Sequence, residues 1–162
     1  MPVTQEKYSW FAVSEEIKRL LILASDNWEN TQLSQHYMQE ALAKAGDNLE
    51  VLVGAYRFFF YQKNPGIDLN IADRVIGILT VQENFPSEWL ELEPILERRK
   101  EEENARLYLN AYAAKGYMLA KLGNVEEAKL ITERVKKIDT NRETCATTIY
   151  DVLTSPPEDE DD

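Results

Sequence analysis

Ile17, Leu20, Leu21 and Ala24 fall at i, i+3, i+4 and i+7, the stripe by which an amphipathic helix faces a core. With Ser14 in front, the spacing predicts a helix over about Ser14 to Asp26. A second helix opens at Trp28 and carries Leu33, Tyr37, Met38, Ala41 and Leu42 on its apolar face. Ala45-Gly46-Asp47-Asn48 then reads as a C-terminal glycine followed by a new N-cap, which implies a helical hairpin. A third helix runs from about Leu49 to Gln62. Lys63-Asn64-Pro65-Gly66 stops it, because proline lacks a donor and restricts the residue before it. A fourth spans roughly Asp68 to Val81, with Leu69, Ala72, Val75, Ile76 and Leu79 at helical spacing.

Pro86 and Ser87 mark the next break, with Ser87 a candidate cap for a short helix. Pro94 sits as a first-turn proline for a longer helix through Arg98-Arg99-Lys100-Glu101-Glu102-Glu103 to about Leu122. That charge cluster suits i,i+3 and i,i+4 pairs on a solvated face. Gly123 ends this helix. Asn124-x-x-Glu127 and Thr140-x-x-Glu143 then resemble capping boxes, and a last helix over about Asn141 to Leu153 packs through Cys145, Ile149, Val152 and Leu153. Glycine is scarce and no Val/Ile/Thr-rich alternation appears, so the expected class is all-α. The expected organisation is a helical domain over 1–154 and a disordered acidic tail over 155–162, because like charges repel and the tail has nothing apolar to bury.

Tyr112-x3-Gly116-x2-Leu119-x3-Gly123-x4-Ala128 resembles the tetratricopeptide repeat (TPR). In that pattern Gly116 lets two helices approach, Gly123 makes the turn, and Ala128 packs where a larger side chain would separate the pair. Val135 and Ile138-Asp139 fall near the end of the second helix, as in that repeat. Lys115, Thr132 and Thr140 depart from the expected leucine, aromatic and proline. Asn48 to Leu79 resembles a second unit, with Ala55 and Ala72 at the small positions, and Ser14 to Ala45 resembles a first. Glu83 to Arg106 interrupts the period. The resemblance therefore implies antiparallel helix pairs stacked as a short, right-handed TPR-like array with an irregular insertion.

The 162 residues carry 18 Lys+Arg against 29 Asp+Glu, a formal charge of −11, and the last five positions are all acidic. Such a chain repels phosphate backbones, so nucleic-acid binding is not expected. MPVTQEKYSW does not read as a secretory signal. The longest aliphatic run, Leu20 to Ala24, is far shorter than the roughly 20 residues that span a bilayer. The expectation is a cytoplasmic protein with no membrane partner. A single cysteine, Cys145, excludes an intramolecular disulfide framework. Phosphate-loop, dinucleotide, C-x-x-C and H-E-x-x-H signatures are all absent, so no catalytic residue, cofactor or metal is expected. His36 reads as a surface or groove histidine, and Cys145 as a small buried hydrophobe.

The most informative constellation is Tyr56-Arg57-Phe58-Phe59-Phe60-Tyr61. Successive helical residues lie about 100° apart, so this run wraps most of a helix and one packing face cannot hide it. Some rings then line a groove or an association surface, unless neighbouring helices cover both sides. By the TPR resemblance, the concave contact face includes Leu52, Tyr56, Phe59, Phe60 and Lys63 in the middle unit. In the last unit it includes Asn110, Ala113, Tyr117, Ala120 and Lys121. Ala113 and Tyr117 replace the carboxylate-clamp Lys and Asn of the subgroup that binds chaperone tails, so that specialisation is not expected. The expected function is a non-enzymatic adaptor or small chaperone that captures a protein or peptide segment. Alternatives are a structural homo-oligomeric subunit, with a homodimer as its simplest form, or a chaperone similar to the translocator chaperones of type III secretion.

Overall fold

The computed structural model describes residues 13–156, and among these it is all-helical: eight helices and no strand. The first three are α1 Glu15–Asp26, α2 Thr31–Ala45 and α3 Leu49–Tyr61, followed by α4 Pro65–Gln82. Then come α5 Trp89–Arg99, α6 Glu103–Lys121, α7 Val125–Ile138 and α8 Ala146–Thr154. They gather into two compact units, Met1–Val75 and Ile76–Asp162, divided within α4.

In the first unit the predicted stripe is the buried one: Ile17, Leu20, Leu21 and Ala24 face inward. Ser14 caps α1 by accepting from the Ile17 N–H at 3.2 Å. The second helix begins at Thr31 and not at Trp28. Asn27 closes α1 by donating its side-chain amide to the Leu23 carbonyl at 2.8 Å, and Asn30 is the cap that accepts from the Leu33 N–H. Small residues let α1 and α2 run close together, and the buried Ser34 donates to the Ala24 carbonyl at 2.7 Å. Gly46 ends α2 at φ +57°, and Asn48 accepts from the Val51 N–H to start α3.

α4 starts at Pro65, three residues before the sequence expectation. Lys63 turns the chain at φ +58°, Asn64 accepts from the Ile67 N–H at 3.3 Å, and Pro65 takes the first helical position, where no donor is needed. From the next turns of α4, Arg74 reaches the Gly46 carbonyl at 3.0 Å and the Leu42 carbonyl at 3.4 Å. A cation thus meets the negative end of α2. α2 also packs on α3.

In the second unit the long helix expected from Pro94 to Leu122 is two helices, broken at Lys100–Glu102. Arg99 is held between Glu83 and Glu102 and stands 5.5 Å from the Phe85 ring centre, which fixes the end of α5. Pro94 lies inside α5, and the carbonyl left without its donor is that of the exposed Leu90. The residue before α5 is Glu88, not Ser87. Gly116 belongs to a tight α6–α7 contact: a Cβ there would lie 2.8 Å from Thr132 Cγ2. Gly123 makes the turn at φ +90°. Asn124 occupies the cap position of α7 but its side chain makes no capping bond.

The last helix starts five residues later than expected, at Ala146. Asp139 accounts for the delay. Its carboxylate accepts from the Glu143 and Thr144 N–H groups at 2.9 and 2.8 Å and from the Thr144 hydroxyl at 2.7 Å. Residues 140–145 are thereby folded as a loop, with Arg142 at φ +54°. α8 then packs through Ala146 and Thr147, while Cys145 and Val152, expected on the packing side, are exposed.

Candidate interaction site

The aromatic run of α3 splits between core and surface. Phe58 and Phe59 are buried, in edge contact with each other at 5.1 Å, and Trp28 meets Phe58 edge-on at 5.3 Å. Phe60 is 42% exposed and Tyr61 57%. Their rings lie 5.9 Å apart and nearly perpendicular, and Tyr56, half-buried, stacks on Phe60 at 6.2 Å. The helical rotation explains the division, since Phe59 shares the inward stripe with Ala55 and Leu52 one and two turns earlier. Gln62 caps this end of α3 and accepts from Gln35 of α2 at 2.6 Å. Lys63, at the same end, is exposed.

The residues expected on a contact face therefore divide. In the first unit Tyr56, Phe60 and Lys63 reach the surface, whereas Leu52 and Phe59 are wholly buried. In the second, Asn110 and Lys121 are exposed and Tyr117 and Ala120 half-buried, whereas Ala113 is wholly buried. Leu52, Phe59 and Ala113 are packing residues, which corrects their placement on a contact face. Lys121 lies 5.5 Å from the Tyr117 ring centre, and Asn110 donates to the Arg106 carbonyl. Tyr61 is the surface residue that the repeat register missed. The 100° rotation places it off the stripe of Leu52, Ala55 and Phe59, but only the packing of α3 shows that it is exposed.

His36 is exposed and pairs with Glu40 one turn on, at 2.6 Å, a local partner that the i,i+4 spacing already offered. Cys145 is exposed where a buried hydrophobe was expected. Its thiol is pushed up, chiefly by desolvation, away from the thiolate that a nucleophile needs. Asp68, by contrast, is wholly buried and neither carboxylate oxygen finds a hydrogen-bond partner. Desolvation pushes it from 3.8 up to about 8. No sequence signal marked it, because its burial depends on neighbouring helices.

A polar recess of about 20 Å³ lies in the second unit between the start of α6 and the 139–144 loop, lined in part by Lys100, Arg106 and Asn110. Lys100 already donates to the Ile138 carbonyl at 3.4 Å and pairs with Glu97 at 3.0 Å, so this recess is largely self-satisfied. Among the described residues no group of three or more His, Cys, Asp and Glu side chains could hold a metal ion. None of the described helices is long and apolar enough to cross a membrane. The residues after Pro156, with most of the acidic tail, and the N-terminal ten read for a signal lie outside the described residues.

The chain is similar to an uncharacterized 19.8 kDa protein in the nifW 5′ region of Azotobacter chroococcum mcd 1. The two are 34% identical over 117 residues, 70% of this chain and 66% of that protein. The match therefore spans just under two thirds of the relative's length. No family model matches the chain, and no solved structure matches it.

Proposed function

We propose that the chain is a non-enzymatic protein-interaction module that captures a partner segment on the exposed end of α3. The observation that carries this reading is the division of one aromatic run, with Phe58 and Phe59 packed inside and Phe60 and Tyr61 turned to solvent. Adjacent exposed rings are costly to leave in water and are enriched where partners dock. Tyr61 adds a hydroxyl and Lys63 a cation at the same end, so an apolar anchor would be bordered by polar groups. The net charge of −11 favours a basic or neutral segment over an acidic one. A TPR-like stacking of the helix pairs belongs to this proposal, with Gly116, Gly123 and Ala128 as its supporting positions.

The decisive variant is Phe60→Ala/Tyr61→Ala. It leaves the core rings in place, unlike any substitution of Phe59. Helical circular dichroism should be unchanged, while partner capture from native lysate drops at least tenfold for a specific protein also captured by a Phe58–Phe59-intact control carrying a distant surface mutation. Equal capture by both proteins refutes the α3 surface. A second reading, a self-assembling subunit, rests on Val81 and Leu90, aliphatic side chains 82% and 85% exposed. A concentration-dependent mass in sedimentation, abolished by Val81→Ser/Leu90→Ser, would favour it.

A further inference from the structure

Three helices of the second unit bring Arg134, Trp89 and Tyr112 together. Trp89 opens α5, Tyr112 lies midway along α6, and Arg134 leaves α7. The Arg134 guanidinium carbon stands 5.1 Å from the Trp89 ring centre, and its Nη1 donates to the Tyr112 hydroxyl at 2.9 Å. The two rings are themselves in contact at 5.7 Å, and the Tyr108 ring, one turn earlier on α6, lies 5.9 Å from that of Tyr112. All three residues of the cluster are half-buried.

No carboxylate of the described residues lies within ion-pair distance of Arg134. The acid beside it in sequence, Glu133, is paired with Lys137. In a chain with 29 acidic residues, a half-buried guanidinium held by an indole and a phenol is a cation whose position is fixed without a counter-ion among the described residues. A guanidinium carries five N–H donors. Tyr112 takes one, and among the described residues Nε and Nη2 make no hydrogen bond. Because the Tyr112 oxygen accepts from Arg134, its own O–H proton is left to point elsewhere.

We propose that Arg134, Tyr112 and Trp89 form a binding site for a carboxylate group, one oxygen taking the free guanidinium N–H and the other the Tyr112 O–H. Arg donors suit a planar carboxylate, and charge-assisted bonds of this kind are about twice as strong as neutral ones. Stacking on Trp89 holds the fork in place beforehand, so little rotamer freedom is lost on binding. A single cation matches a monoanion. A doubly charged phosphate would bring more charge than Arg134 neutralises into the field of a molecule at −11. The site is built wholly from residues of the second unit, uses none of the α3 rings nor Ala113 and Tyr117, and stands or falls independently of the proposed partner capture.

The test is a titration of the ¹⁵N-labelled full chain at neutral pH, following the Trp89 indole N–H and Arg134 Nε–H signals, assigned with Trp89→Phe and Arg134→Lys. The probes are sodium acetate, N-acetylglycylglycine, sodium phosphate and sodium chloride at matched ionic strength. Acetate and N-acetylglycylglycine should shift both signals saturably, and tighter binding of the latter would identify a peptide C-terminus as the source. Arg134→Gln should weaken acetate binding at least tenfold and Tyr112→Phe about threefold. Non-saturating shifts, equal shifts with chloride, or phosphate binding more tightly than acetate would overturn the assignment. Should Arg134→Gln fail to fold, Tyr112→Phe decides alone, because it keeps the guanidinium and removes the donor; unchanged acetate affinity there also overturns it.

Discussion

Gly116 carries the tightest steric constraint among the described glycines. Alanine is favoured over glycine in a helix interior by about 1 kcal/mol, so on propensity alone Gly116→Ala would stabilise α6. Its Cβ, however, would stand 2.8 Å from Thr132 Cγ2 and 3.3 Å from Ile131 Cγ2. Thr132 is fixed in place, since it is wholly buried and its hydroxyl donates to the Ala128 carbonyl at 2.8 Å. The clash should win, with a net loss of about 1–3 kcal/mol in urea unfolding. Thr132→Ser, which removes the offending methyl, should restore part of that loss in the double variant. A stabilised Gly116→Ala protein would show that α6 and α7 are not in this contact. At Asp68 the argument is electrostatic. With its carboxyl raised to about 8, the folded chain holds a proton that the unfolded chain releases above about pH 4. The stabilising contribution is then complete below that value and is lost as pH rises through 8. Asp68→Asn keeps the shape and cannot titrate. Between pH 5 and 8 the wild type should lose about 2–4 kcal/mol more stability than this variant, and parallel pH profiles would refute the buried protonated acid.

Elements were legible in the sequence wherever their ends are decided locally. Ser14 and Asn48 each accept from the N–H three residues on, an interaction contained within four residues of sequence, and the α1 stripe needed only the 3.6-residue period. Boundaries failed where a side chain from outside the helix sets them. The break at Lys100–Glu102 depends on Glu83 reaching Arg99 from the start of the loop between α4 and α5. The late start of α8 depends on Asp139, which satisfies the N–H groups of Glu143 and Thr144 that a capping-box reading assigned to a helix. The candidate sites follow the same rule. That one packing face could not hide the Tyr56–Tyr61 run followed from helical rotation, whereas the outward placement of Phe60 and Tyr61 depended on what covers α3. Trp89, Tyr112 and Arg134 meet only once three helices are folded, and no spacing marks them. Asp139→Ala should leave two N–H groups without their acceptor, at a cost of about 2–3 kcal/mol. Hydrogen exchange should accelerate first at residues 143–147 and along α8, with α6 and α7 little changed; uniform acceleration through α6 would mean that the loop is not a separate local element.

At the scale of the molecule the dominant quantity is charge. Eighteen cationic and 29 acidic side chains leave −11, and five of the acids occupy positions 158–162. Several of the identified ion pairs are exposed contacts within one helix, such as Lys18–Glu15 and Lys129–Glu126, and each of these is worth little in water. They leave the net repulsion uncompensated, so the folded chain stores unfavourable self-energy that salt should relieve. Repulsion between exposed charges reaches about 30 Å at 0.01 M salt but only about 3 Å at 1 M. The melting temperature should therefore rise by about 2–4 °C between 10 mM and 0.5 M sodium chloride, corresponding to about 1 kcal/mol for a domain of this size. Removing residues 158–162 takes the charge to −6 and separates two contributions. If those carboxylates repel the folded helices, the truncated chain should melt higher at low salt and respond less to added salt, the two proteins converging at 0.5 M. If the helical body repels itself, truncation should leave both the low-salt melting temperature and the salt slope unchanged. A melting temperature that falls with salt would instead mean that attraction in pairs such as Arg99 with Glu83 and Glu102 outweighs the net repulsion, and Arg99→Met should then remove most of that salt dependence.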